Sequence, residues 1–416
     1  MLSQSLQLML AASVIAPYRA SIRPTQTADM LTSLRIQNFR SCTDTYVSEI
    51  EPSLLLVGPN NAGKTTIMKA ICWARDVATK GGMPDANVFY SQATIELHFT
   101  INDEKYRYRV RACSDSPDSP LDLPYYEETL TFFSADIERD LYVRSGETLT
   151  SHLDDSEQTY SINRTGSTLT FLTSISPEST PKLREIDTFL RRIRYFSLDS
   201  IADDGGNWAI VTDGELSMWK AGAQLESSAG TCMIKLVDLW RNNKEVFTEL
   251  VALLGRSHLN IINSIDIEER SDFPLRKASK EKTPSKRYIV FFDTDAGYAY
   301  YEDLSFGTKR ILHALIAILY EPSSVVLLEQ PEDGIHPGLL TRFTKVLLSY
   351  IDPMQLILTS HSSAVINIVG AKNIRIVQAP LGETRAHALS DDELQRADQY
   401  VDSTGQLADY IRILED

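Results

Sequence analysis

The sequence predicts an α/β protein whose mostly parallel core sheet is assembled from both ends of the chain. Residues 54–57 form a continuous apolar run that enters a glycine-bearing loop and then a helix-forming stretch. Residues 325–328, 356–358 and 374–377 are further short apolar runs, the pattern of strands buried on both faces of a parallel sheet. Helical patterns over 307–320 and 338–350 lie between or beside them, and the middle of the chain follows other periods.

At 416 residues the chain can form two or three lobes and a large core. Its formal net charge of -15 repels nucleic acid and anionic membranes as a whole, so contact with DNA or RNA requires a local basic patch. Cys42, Cys72, Cys113 and Cys232 are scattered without C-x-x-C spacing. That pattern points to reduced thiols in a cytoplasmic protein and away from a zinc site.

Residues 1–29 read as either a non-essential extension or an over-long start; the apolar run over 6–16 is too short to span a bilayer and lacks a basic flank. Residues 30–80 form the first part of the core, beginning with an alternating strand at 34–39. The helix after the loop runs to about residue 77 and ends at Gly81-Gly82-Met83-Pro84. Residues 81–180 switch to period two and form an antiparallel lobe, with strands expected at 93–101, 105–112, 128–133, 140–144 and 169–173. Residues 181–287 form a helical insertion, with a helix over 181–194, two more over 228–254 broken near Asn242-Asn243, and a basic loop at 276–287. Residues 288–416 return to the core. The sequence shows no heptad repeat of coiled-coil length and no 20–50-residue repeat.

The loop carries the most specific chemistry. Gly58, Gly63, Lys64 and Thr65 fill the phosphate-loop pattern G-x-x-x-x-G-K-[ST], with Asn60, Asn61 and Ala62 inside it and Thr66 just after. The glycines let backbone N–H groups converge on phosphate oxygens, and the helix start adds the positive end of its dipole. Lys64 is expected to reach the β- and γ-phosphates of a nucleoside triphosphate, and the Thr65 hydroxyl to ligate Mg²⁺.

Further along, Leu304-Ser305-Phe306-Gly307-Thr308 opens a helix with a hydroxyl and free N–H groups. Glu329-Gln330-Pro331-Glu332 follows a buried strand, and His361 follows another, at the carboxyl ends where ligands collect. The plainer alternatives are an ordinary N-cap for Ser305 and a helix-start cap for His361. Lys105, Arg107, Arg109 and Arg111 share one strand face. They form either a phosphate-contacting stripe or, the favoured reading, a solvated outer face. Gln92 is the one glutamine that tempts assignment to a nucleotide-sensing loop.

Together these motifs resemble the ATP-binding heads of the ABC superfamily, closest to the soluble branch of RecF, SMC and the OLD-like and AAA-type ATPases of bacterial phage defence. The resemblance covers residues 31–75 and 285–380. The opening Leu34-Arg35-Ile36-Gln37-Asn38-Phe39-Arg40-Ser41 looks like that branch's first strand, Glu329 to Pro337 is similar to its Walker B and D-loop segment, and Thr359-Ser360-His361-Ser362 looks like its histidine switch. The implied fold is an ABC-type P-loop head with a mostly parallel core, an antiparallel β lobe and an inserted helical region.

The resemblance also implies roles. Lys64 and Thr65 hold ATP and Mg²⁺, with Glu329 near the metal. Arg40 and Ser41 lie near the nucleotide, and Ser305 and Gly307 contact the γ-phosphate held by a partner subunit. Gln330 stands where the family has its catalytic glutamate, so slow hydrolysis is expected. His361 senses the γ-phosphate. The expected protein is a cytoplasmic homodimer closed around ATP that controls a separately encoded nuclease or toxin in phage defence. The alternative is a RecF/SMC-like repair ATPase that binds DNA through the Lys105–Arg111 face or the 276–287 loop. No membrane association is expected.

Overall fold

The computed structural model describes residues 29–82, 92–114, 124–135, 137–153, 157–175, 180–197, 208–222, 228–271 and 286–415. The 1–29 extension and the 276–287 loop therefore lie almost wholly outside the described residues. The chain opens with the hairpin β1 (Met30–Phe39) and β2 (Cys42–Val47), then β3 (Ser53–Val57) and helix α1 (Lys64–Thr79). Six strands follow: β4 (Thr94–Ile101), β5 (Glu104–Cys113), β6 (Tyr125–Ser134), β7 (Ile137–Ser145), β8 (Thr148–Ser151) and β9 (Gln158–Ser161). Helices α2 (Thr168–Ile175) and α3 (Pro181–Arg191) lead to β10 (Ile193–Ser197). The middle holds β11 (Ile210–Thr212), α4 (Asp213–Lys220), α5 (Ser228–Asn242), α6 (Lys244–Leu254), β12 (Ser264–Ser271), β13 (Lys286–Thr294) and β14 (Gly297–Ala299). The last part runs α7 (Phe306–Tyr320), β15 (Val325–Glu329), α8 (Pro337–Leu348), β16 (Gln355–Thr359), α9 (Ser363–Val369), β17 (Ile374–Gln378), β18 (Arg385–Ala388), α10 (Asp391–Thr404) and α11 (Leu407–Glu415).

Two compact units result. The first takes the described residues up to Tyr195, Ser323–Glu329 and those from Leu347 onward; the second takes Phe196–Pro322 and Gln330–Val346. The first unit contains a six-stranded sheet in the order β10-β15-β16-β3-β17-β18. β15, β16, β3 and β17 are parallel neighbours, as their apolar runs predict, and β18 closes the edge antiparallel to β17. Every residue of β3 and β16 is buried.

An eight-stranded antiparallel sheet, β2-β1-β4-β5-β6-β7-β8-β9, completes this unit. The hairpin β1–β2 belongs to it, so the antiparallel sheet begins well before residue 81. Alternation decides its faces. Tyr106, Tyr108 and Val110 of β5 turn inward, and Lys105, Arg107, Arg109 and Arg111 lie more open to solvent. One apolar core joins this sheet to α1 through Ile67, Met68, Ile71 and Ala74, to α3 through Leu183, Ile186 and Phe189, and to Leu56, Leu327 and Ile357.

Three local expectations are corrected. Residues 169–173 are helical, because the Ser167 hydroxyl accepts the Thr170 N–H and Leu169 and Leu172 bury one face. The helix expected over 181–194 stops at Arg191, where Arg192 leaves helical geometry, and Ile193-Arg194-Tyr195 enters the parallel sheet as β10. In the second unit, β11, β13 and β12 pair in that order with β14 added to β13. The break between α5 and α6 falls at Asn243, whose side chain caps α6 by accepting the Val246 N–H. Lys286 and Arg287 belong to β13 and not to the basic loop.

Arg144 is the polar anchor of the antiparallel lobe. Its side chain and that of Glu128 are both fully buried and 2.6 Å apart. The guanidinium also donates to the carbonyls of Gly146, Asn163, Arg164 and Gly166, while the Tyr108 and Thr168 hydroxyls donate to Glu128. Removing one member leaves a buried charge uncompensated. Arg144→Ala should cost about 3–5 kcal/mol, read as a lower denaturation midpoint of the tyrosine-rich first unit. An unchanged midpoint would contradict this account of the lobe.

Candidate functional site

Parallel strands end on one edge, and the register fixes what meets there. Glu329 pairs with Thr359, and Thr359 with Leu56. The ends of β15, β16 and β3 therefore align, and the 58–63 loop, Glu329 and His361 all emerge from the same edge of the sheet.

The loop fits tightly. A Cβ on Gly58 would lie 1.9 Å from the Val377 carbonyl oxygen, so only glycine passes the end of β17 there. Gly63 sits at φ +103°, and its missing Cβ would meet the Thr384 hydroxyl at 2.1 Å. Asn61 is also left-handed, and Ala62 is buried with its N–H donating to the Pro59 carbonyl. Asn60 is exposed, and Thr66 is half-buried on the first turn of α1. No side chain caps that helix start and no acidic residue sits in its first turn. Its donors and the positive end of its dipole suit a phosphate.

Lys64 is buried, and its ammonium donates to the Gly58 and Pro59 carbonyls at 2.6 and 2.9 Å, folded back over the loop. The Thr65 hydroxyl donates to Glu329 Oε1, and the Tyr195 hydroxyl donates to Glu329 Oε2. A hydroxyl and a carboxylate brought into contact beside a phosphate-binding loop are hard oxygen donors, the set that suits Mg²⁺. The residues present fit a nucleotide–metal pair.

Arg40 and Ser41 form the turn between β1 and β2. Thr384 ties them to the loop: its N–H donates to the Ser41 carbonyl and its hydroxyl to Ser41 Oγ, both at 2.8 Å, and the same side chain packs on Gly63. Arg40 is exposed, with its guanidinium 5.6 Å from the Phe39 ring centre. His361 is half-buried between Ser360 and α9, where the Ser362 N–H donates to Ser360 Oγ. Gln92 accepts from Arg111 at 2.8 Å, at the start of the antiparallel strand β4.

Ser305, Gly307 and Gln330 belong to the second unit. Ser305 caps α7 by accepting the Thr308 N–H at 3.2 Å. A Cβ on Gly307 would lie 2.6 Å from the Gly334 carbonyl oxygen, so the start of α7 packs directly on the 330–335 turn. Arg310, buried, fastens the same turn by donating to the Asp333 carbonyl at 2.5 Å. Gln330 follows Glu329 directly and holds a left-handed backbone at φ +41°.

Tyr195 and Thr384 were not among the sequence-derived site residues. Neither sits in a spaced motif. The β-favouring Ile193, Tyr195 and Phe196 were the available sign of a strand beside β15.

The basic face is charge-balanced. Arg107 pairs with Glu138 at 2.9 Å, Arg109 with Glu96 at 3.3 Å and Arg111 with Glu127 at 3.5 Å. Burial pushes the Cys72 thiol up to about 11, and all four cysteines are free. Among the described residues no group of three or more His, Cys, Asp or Glu is placed to hold a metal ion, and no helix is long and apolar enough to cross a membrane.

The chain is similar to AAA-type ATPase domains. Two family models match in tandem: "AAA domain" over residues 33–199, and "AAA domain, putative AbiEii toxin, Type IV TA system" over residues 235–367. No curated protein sequence matches the chain. Among solved structures, the SMC head domain from Thermotoga maritima is 13% identical with a TM-score of 0.40, over 86% of this chain and 99% of that one. An SMC head bound to the C-terminal winged-helix domain of ScpA is 12% identical with a TM-score of 0.44, over 87% and 99%. An SMC head with an extended coiled coil, bound to the C-terminal domain of ScpA and derived from Pyrococcus furiosus, is 11% identical with a TM-score of 0.44, over 90% and 99%.

Proposed function

We propose that the protein binds and slowly hydrolyses ATP with Mg²⁺, dimerises around the nucleotide, and thereby controls a separately encoded effector, a nuclease or toxin, in the cytoplasmic defence of a bacterium against phage. The arrangement of Lys64, Thr65 and Glu329 at one edge of the parallel sheet is the observation that carries the ATP reading. Lys64 and Thr65 would hold phosphates and metal, Glu329 would stand beside the metal, and the metal would supply charge neutralisation at the phosphates. His361 would sense the γ-phosphate. The defence reading is supported by the toxin–antitoxin description of the family matched by residues 235–367. Direct DNA binding gains no support from the Lys105–Arg111 face, where three of the four cations already face carboxylates.

Dimerisation is tested by complementation. In the proposed sandwich, Ser305 and Gly307 of one protomer complete the site of the other. A Lys64→Ala protein and a Ser305→Arg protein should each fail to close with a non-hydrolysable analogue, while their mixture retains one intact composite site per heterodimer. Light scattering of the mixture should then report dimers that neither variant gives alone. A mixture that stays monomeric while the wild type dimerises would contradict the shared site.

Gln330 concerns turnover. An amide orients water but is a far poorer base than a carboxylate, and general-base assistance is worth about 10²–10⁴-fold. Gln330→Glu should raise steady-state phosphate release by at least about tenfold, a cautious fraction of that range. An equal rate in the two proteins would move the base to another residue, with Glu332 the first candidate.

A further inference from the structure

We propose that Tyr195 is a positioning residue for the metal-side carboxylate Glu329, an inference that rests on the reading of an ATP–Mg²⁺ site. Glu329 ends β15, and its side chain has three rotatable bonds whose freedom must be given up to hold one orientation. The structure fixes it from two sides. The Thr65 hydroxyl, from the first turn of α1, donates to Oε1, and the Tyr195 hydroxyl, from β10, donates to Oε2. β10 is the direct neighbour of β15 in the sheet, so the phenol reaches the carboxylate from the flank opposite β16.

The two donors are not equivalent. Thr65 is the residue whose oxygen would be taken by Mg²⁺, whereas Tyr195 stands on the far oxygen and has no place in the phosphate loop. A donor on one carboxylate oxygen fixes the direction of the other, which is how outer groups orient metal ligands and why their loss typically costs about 10–100-fold in metal affinity. The aromatic ring gives the hydroxyl a rigid mount with two torsions. Tyr195 thus sets the orientation in which Glu329 meets the metal, without touching nucleotide or metal itself.

The test is a calorimetric titration of Mg²⁺ into the full chain saturated with a non-hydrolysable ATP analogue. Tyr195→Phe keeps the ring and removes only the donor. It should weaken apparent Mg²⁺ affinity about tenfold, the lower end of that range, while affinity for the analogue in the presence of chelator stays within twofold of wild type. A structural role alone would not give that split. The second arm repeats the change in a Glu329→Gln background, where Tyr195→Phe should add less than about twofold because the carboxylate it orients is gone. Wild-type Mg²⁺ affinity in Tyr195→Phe, or an equal tenfold loss in both backgrounds, would overturn the proposal. A wild type that binds no analogue would instead overturn the nucleotide reading beneath it.

Discussion

The contact between Thr65 and Glu329 spans 264 positions of sequence, and the candidate site depends on it. It joins the first turn of α1 to the end of β15, two elements that share no local contact along the chain. What permits it is the sheet register. β16 lies between β3 and β15, pairs Thr359 with both Leu56 and Glu329, and so sets loop and carboxylate level on one edge. A strand slip of one residue would turn Glu329 to the opposite face.

The same constraint explains how the surroundings are built. β3, β16 and β15 are buried throughout their apolar residues, which leaves the site's chemistry to their carboxyl ends. Around the loop, space is filled by elements far away in sequence. The end of β17 excludes any side chain at Gly58, and Thr384 excludes one at Gly63 while hydrogen-bonding Ser41. The second unit holds its own close approach, Gly307 on Gly334, fastened by Arg310. In both units the glycines mark places where two backbones, or a backbone and a buried side chain, share one van der Waals boundary.

Much of this was readable beforehand because the strongest signals are local. The apolar runs announced the parallel strands, and Gly58 to Thr65 announced the loop, since a tight backbone curl needs those residue types at that spacing. Asn243 starts the second helix through its own side chain, so the break in 228–254 was visible too. Thr384 was not visible, because its role comes from a tertiary approach to Gly63 that no spacing encodes. Tyr195 was hidden by an amphipathic pattern that continues past the true helix end at Arg191. Residues 169–173 are rich in threonine and alternate loosely, and only the Ser167 cap and the burial of Leu169 and Leu172 decide for a helix. Periodicity identifies elements; the partners that bring side chains together from distant strands are set by register and packing.

The central claim is that the buried Lys64 ammonium, now resting on the Gly58 and Pro59 carbonyls, exchanges those partners for phosphate oxygens while Thr65 and Glu329 take the metal. Calorimetric titration of ATP into the wild-type chain, with Mg²⁺ and with chelator, tests it most directly. The account predicts one ATP per chain, with affinity at least about tenfold higher when Mg²⁺ is present, since outer-shell and ligand losses at such sites cost about 10–100-fold. Absence of ATP binding, or binding of equal strength with and without Mg²⁺, would contradict it.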